Sequence, residues 1–217
     1  MQPSRPPSTR LPIDITSTGR VNGASFTANG TGVGDAGTGD WDFEVTFADK
    51  AADADAFATL VGILILPTVV FGREDGSTRN LLSLVGGNLE FTQLTDGDEV
   101  SVASRGSIRA TPDGRLSWTS EAEGEIGLRE VKEVEPFDAV MLPLGPGKIA
   151  DVLTFPFVTP RGRRLVQAVR TITFNPAADL PGVQFRRVSI EPTATADGVR
   201  VRTQSLLRAP ARSTVAR

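Results

Sequence analysis

Apolar and polar residues alternate along much of this chain with the two-residue period of β-strands. In Asp40–Phe47, Trp41, Phe43, Val45 and Phe47 fall on one face, and Asp42, Glu44 and Thr46 on the other. Leu89, Phe91 and Gln93 continue the rhythm. The clearest case is a hairpin, Glu99–Ala110, a turn at Thr111–Gly114, then Arg115–Leu128. Its second limb puts Leu116, Trp118, Ser120, Ala122, Gly124, Ile126 and Leu128 on one side and Ser117, Thr119, Glu121, Glu123 and Glu125 on the other. Strands of this kind have one dry face and one wet face.

Turn dipeptides separate these segments. Asn22-Gly23, Asn29-Gly30, Asp75-Gly76, Asp96-Gly97, Asp113-Gly114 and Asp197-Gly198 all accept the positive φ angles of tight turns. Three closing strands are expected at Arg164–Phe174, Val183–Glu191 and Val199–Leu207. The total is about ten strands, each needing cover for one apolar face, which a closed barrel or a two-sheet sandwich supplies while limiting exposed edges. The reading adopted is an all-β antiparallel barrel, lipocalin-like in general plan, forming a single domain over residues 13–207 with disordered tails at 1–12 and 208–217.

Two stretches depart from the alternation. Phe57–Phe71 (FATLVGILILPTVVF) holds fifteen residues without a charge, interrupted by Gly62 and Pro67. It is too short to cross a bilayer and reads as a buried core element. Just before it, Asp49–Ala58 has the one helix-like composition, so one short helix is expected there. Glu135–Pro160 is apolar but carries five prolines. Since proline removes ladder donors, this segment is expected to form a packed cap.

Composition then limits the chemistry. The 217 residues include no Cys, His or Tyr. Without cysteine there is no disulfide framework and no thiolate nucleophile. With no His, and no Ser-x-x-Lys spacing among three lysines, an activated serine is hard to assemble. No loop has calcium-ligand spacing, and no metal or other cofactor is expected. The net charge is −3, but residues 1–150 hold 12 basic and 22 acidic side chains while 151–217 hold 11 and 4. The late arginines alternate with apolar residues, as in Val199-Arg200-Val201-Arg202, which suits a wet face paired with acidic strands rather than a nucleic-acid patch. The Glu121, Glu123, Glu125 ladder is expected to pair with Arg186, Arg200 or Arg202. Neither a nucleic acid nor a membrane is expected as a partner; self-association as a homodimer is compatible with the pattern. MQPSRPPSTRLP lacks an apolar signal core, and the chain is expected to be cytoplasmic.

Gly32-Val33-Gly34-Asp35-Ala36-Gly37 matches GxGxxG, but a strand follows it where a dinucleotide site needs a helix, so it reads as a hairpin loop. The candidate site residues are the polar and aromatic groups on otherwise apolar faces. Gln93 shares a face with Leu89 and Phe91. Arg170 shares one with Val166, Ala168, Ile172 and Phe174 if that set points inward. The opposite phase, with Leu165, Gln167, Val169 and Thr171 inside, leaves Arg170 in solvent. Trp41, Phe43, Phe91 and Trp118 are core aromatics or the walls of a cavity, and with Gln93 and Arg170 they form the expected substrate-binding set. Inward Ala28, Gly30, Gly32, Ala122 and Gly124 give a wall without bulk, hence a tight bend or a cavity.

In overall character the chain resembles the small β-barrel cyclases of bacterial polyketide pathways, including those that promote [4+2] cycloadditions. Hairpin-rich strands, small inward residues such as Ala122 and Gly124, and the cap carry the likeness. It implies a cofactor-independent cyclase that folds a large, mostly apolar substrate inside the barrel. Two other readings stay open beside it: a non-catalytic carrier of an apolar ligand, and a structural or interaction domain with a filled core. The last predicts an exposed apolar patch, around Met141–Leu144 or Phe155–Phe157.

Overall fold

Strands β1 (Arg10–Val21) and β2 (Ala24–Asp35) fold back on each other about Asn22-Gly23. These two residues adopt φ of 51° and 77°, the left-handed values that such a turn demands. β3 (Asp40–Phe47) returns along β2. Then come β4 (Leu89–Thr95), β5 (Val100–Ala110) and β6 (Leu116–Ile126), followed by the two-residue β7 (Glu133–Val134), β8 (Phe137–Gly145), β9 (Lys148–Thr159), β10 (Gly162–Phe174), β11 (Val188–Ala194) and β12 (Gly198–Ser205). This is a computed structural model, and it describes residues 10–35, 40–48, 89–95, 99–127, 133–145, 147–174 and 188–205.

The strands close into one barrel. Hydrogen-bonded neighbours run β10-β4-β5-β6-β1-β2-β3-β12-β11-β8-β9, and β9 pairs again with β10. That ring has eleven strands, with β7 extending it beside the end of β9. Every pairing in the ring is antiparallel except β1 with β6. The barrel expectation therefore holds, while the lipocalin-like plan of about ten strands does not. Alternation tells which face of a strand is dry but carries no record of its neighbours, and here β1 lies beside β6, β3 beside β12 and β4 beside β10.

The proline-rich cap is also corrected, because Glu135–Pro160 supplies two barrel strands, β8 and β9. Pro143 sits where the β8–β9 register shifts, a place where a missing ladder donor costs little. β1 begins at Arg10, inside the stretch expected as a tail. The expected helix at Asp49–Ala58 and the apolar run Phe57–Phe71 lie outside the described residues, among which there is no helix. None of these residues forms a helix long and apolar enough to cross a membrane.

Inward faces match the alternation. Trp41, Phe43, Val45 and Phe47 are buried, as are Leu116, Trp118, Ser120, Ala122 and Ile126. Of the small inward residues, expected to mark a tight bend or a cavity, Gly32 faces filled space, as does its neighbour Gly34. A methyl group on Gly34 would strike the Trp41 ring, and one on Gly32 the Phe43 ring. The glycines thus give room to the aromatics across the β2–β3 pair, which stack on each other with centroids 5.5 Å apart.

Outside, charges pair along the sheet. Arg200 donates two hydrogen bonds to Asp42, at 2.8 and 2.7 Å, and Arg202 approaches the same carboxylate at 3.6 Å. The late arginines therefore do meet an early acidic strand. The Glu121–Glu125 ladder does not meet Arg200 or Arg202, because β6 lies between β5 and β1, and Arg186 lies outside the described residues; Glu121 instead accepts from Arg105 at 3.0 Å.

Candidate functional site

The register brings four polar side chains into one row across adjacent strands of the inner wall. Asp151 on β9 faces Arg170 on β10, Arg170 faces Gln93 on β4, and Gln93 faces Ser104 on β5. Residues directly opposite in an antiparallel pair share a face, so Arg170 settles its phase inward; its exposure is 0%. The Arg170 Nε and Nη2 groups both donate to Gln93 Oε1, at 3.0 and 2.6 Å, and Nη1 lies 3.8 Å from Asp151 Oδ2. Burial pushes the guanidinium's proton affinity down, and the Asp151 charge opposes that shift. A buried cation is tolerable only with such partners.

Aromatic rings lie beside this row. Phe91 sits 5.8 Å from the Arg170 guanidinium carbon, and the Trp118 ring lies 4.7 Å from Phe91. Of the six sequence-predicted site residues, Phe91, Gln93, Trp118 and Arg170 thus come together. Trp41 and Phe43 lie on β3, elsewhere in the ring, where they pack on each other. Around the wall, Thr95 Oγ1, Ser104 Oγ, Trp41 Nε1 and Trp118 Nε1 are buried without a hydrogen-bond partner among the described residues. Chemically, Arg170 and Gln93 supply a fixed positive charge and a polarised amide. Elsewhere, carboxylates are held well ionised: Arg115 depresses Asp14 and Arg200 depresses Asp42, each mainly through hydrogen bonding.

The outer wall holds a second constellation. The described residues include seven large apolar side chains that stand exposed, and six of them, Leu94, Val140, Leu142, Leu144, Leu165 and Val169, lie on β4, β8 and β10. With β9 these form four adjacent strands of the ring. The register sets Ala103, Leu94, Val169, Val152 and Val140 in one continuous row from β5 to β8. The next row reads Thr92, Thr171, Ala150 and Leu142. Neither row carries a charge. The structural or interaction-domain reading predicts such a patch around Met141–Leu144, and Leu142 and Leu144 do stand out at 47% and 55% exposure. The other place, Phe155–Phe157, is interior, both rings being fully buried. Leu94, Leu165 and Val169 were not anticipated, since only the register places β4 and β10 on the same wall as β8, with β9 between.

No protein-family model matches the chain, and no curated protein matches it. Solved structures do match. The monomeric photosensitizing fluorescent protein Supernova is 15% identical at a TM-score of 0.68, with 93% of this chain and 96% of that chain covered. The phototoxic fluorescent protein mKillerOrange is 16% identical at 0.67, with 94% and 96% covered. A red fluorescent variant from Branchiostoma lanceolatum, lanRFP_delS83, is 13% identical at 0.66, with 89% and 94% covered. The fold is therefore the eleven-stranded barrel of the fluorescent proteins. At this identity the likeness is one of fold alone.

It overturns the resemblance to polyketide cyclases. Of the features that carried it, the proline-rich cap proves to be two barrel strands, and Gly124 packs directly against the β5 backbone at Ser101 and Val102. With it goes the cyclase function, including the [4+2] cycloaddition, because the structures this barrel resembles are fluorescent proteins.

Proposed function

We propose that this barrel is a non-enzymatic binding module that works through its outer wall. The observation that supports the reading most is the six exposed apolar side chains on β4, β10 and β8, with two register rows between them free of charge, on a surface elsewhere studded with paired Arg, Asp and Glu. The largest apolar patch on a soluble protein is often the place where something docks. In this reading the interior set Trp41, Phe43, Phe91, Gln93, Trp118 and Arg170 holds the wall in shape and contacts no substrate.

A photo-cross-linking residue placed at Leu94 or at Val169, in the cell that makes the protein, is expected to trap a protein partner. The same residue at Thr31 or Glu44, on the strands opposite, is expected to trap none. Equal yields from both walls, or none from either, would overturn the proposal. So would visible absorption by the purified chain, the property for which the similar structures are named, because it would move the function to the interior.

A further inference from the structure

Asparagine followed by glycine is the pair at which a protein chain most readily attacks itself, because glycine has no side chain to shield its amide nitrogen. That nitrogen gives its proton to water and adds to the asparagine Cγ. The Cγ–Nδ2 bond breaks, ammonia leaves, and a five-membered imide remains. Water then opens the imide at either carbonyl, giving aspartate or, with the main chain rerouted through the side chain, isoaspartate. The pair occurs twice in this sequence, at Asn22-Gly23 and Asn29-Gly30. The fold restrains the two differently. Asn29-Gly30 lies within β2, paired with Thr16 and Ile15 on β1 and with Thr46 and Val45 on β3. Its backbone turns only when the sheet comes apart. Asn22-Gly23 stands at the surface, with open space beside the Gly23 α-carbon. What holds it is its bonding to β6: Asn22 Nδ2 donates to the Ile126 carbonyl at 3.0 Å, Oδ1 accepts from the Ile126 amide at 2.8 Å, and the Asn22 amide donates to the Gly124 carbonyl at 3.0 Å. The carboxamide must leave Ile126 before its carbon can reach the Gly23 nitrogen, and that needs only the end of one seam to open.

We propose that Asn22-Gly23 is a self-modification site controlled by the β1–β6 seam, at which deamidation records each opening of the barrel and then holds the seam open. While Ile126 keeps the carboxamide, the pair is inert. Either product removes the bond that closed the seam. An ionised aspartate accepts hydrogen bonds only, so at position 22 it sets an oxygen against the Ile126 carbonyl where an N–H had been. Isoaspartate adds a carbon to the backbone of a two-residue turn whose φ angles of 51° and 77° fit the shorter chain.

The purified full chain, incubated at mildly alkaline pH with and without urea, tests this by tandem mass spectrometry, which follows the two asparagines separately. In urea they are expected to deamidate at similar rates. In buffer Asn22 is expected to react more slowly than in urea, yet at least about tenfold faster than Asn29, because a seam end opens more often than the whole sheet. Gly19→Ala offers a second readout, since its added methyl would strike the Ala122 carbonyl on β6. It is expected to raise the ratio of the Asn22 rate to the Asn29 rate, a quantity that general loss of stability does not raise. Asn22→Asp stands in for the normal-chain product, and hydrogen exchange at its own amide is expected to quicken by about tenfold as the bond to Gly124 loosens. An Asn22 rate in buffer equal to that in urea, or no faster than that of Asn29, overturns control by the seam. So does an unchanged ratio in a folded Gly19→Ala chain. No reaction at Asn22 in urea overturns the site itself, and unchanged exchange in Asn22→Asp overturns the claim that the product holds the seam open.

Discussion

Arg170 and Gln93 face each other across β10 and β4, and a single amide oxygen, Gln93 Oε1, accepts from two guanidinium nitrogens at 3.0 and 2.6 Å. Asp151 completes the arrangement from the other side, at 3.8 Å. All three side chains are buried, so removing one partner leaves another uncompensated in a medium of low polarity. Asp151→Asn is expected to destabilise the fold by about 3–5 kcal/mol and Gln93→Leu by about 1–3 kcal/mol. The double substitution Arg170→Met with Asp151→Leu is expected to cost less than the two single losses together, since it removes both charges. Urea unfolding of these three variants and of the Arg170→Met and Asp151→Leu singles decides the matter. An Asp151→Asn protein within about 1 kcal/mol of wild type would show that the charge pair does little.

This cluster also marks how far the sequence could be read. Gln93 and Arg170 were each identifiable as polar groups on apolar faces. Arg170 was ambiguous because β10 is apolar on both sides, Val166, Ala168 and Ile172 inside and Leu165 and Val169 outside. A two-sided strand carries no phase information. The outer half of that pattern is the candidate binding band, so the ambiguity and the function have one cause. Asp151 could not be foreseen, because it lies on β9, within the proline-rich stretch whose composition argued against regular strands.

Asp42 gives a pH prediction. Its carboxyl is held below the ordinary carboxylate value by hydrogen bonds from Arg200. A carboxyl whose affinity for protons is lower in the folded chain stabilises the fold above the unfolded value of about 3.9. That contribution is lost as the pH falls through the lower folded value. Asp42→Asn is expected to flatten stability against pH in the acid range, and near neutrality to cost under about 1 kcal/mol, since the pair is about two-fifths exposed and screened by solvent. Thermal melts of the variant and wild type between neutral and acid pH test it, and parallel curves would rule it out.

The glycines of β2 give a packing prediction. Gly34 faces Trp41 so closely that a methyl group must displace the indole. Gly34→Ala is expected to cost about 1–3 kcal/mol through overpacking and to disturb the Trp41–Phe43 stack. Near-ultraviolet circular dichroism reports that disturbance independently of stability. An unchanged spectrum with unchanged stability would mean that the β2–β3 pair has slack.

Asn22 joins three strands at once. It occupies the left-handed position of the β1–β2 turn, at φ 51°. Its Nδ2 donates to the Ile126 carbonyl at 3.0 Å, and its Oδ1 accepts from the Ile126 amide at 2.8 Å. The side chain therefore extends the parallel β1–β6 pairing beyond its last backbone pair, Val21 with Gly124. Asn22-Gly23 was readable as a hairpin signal; its bond to β6 was not, because 104 residues separate Asn22 from Ile126. The two roles can be separated by substitution. Asn22→Gly keeps the backbone angle and loses both side-chain bonds, so it is expected to cost about 1–2 kcal/mol. Asn22→Ala loses the bonds and also places a β-carbon at positive φ, so it is expected to cost about 1 kcal/mol more. Hydrogen exchange should show the Ile126 amide losing protection in both variants. Equal stability of the two would mean the turn tolerates the angle without strain, and full protection in both would mean that backbone pairing alone closes the β1–β6 seam.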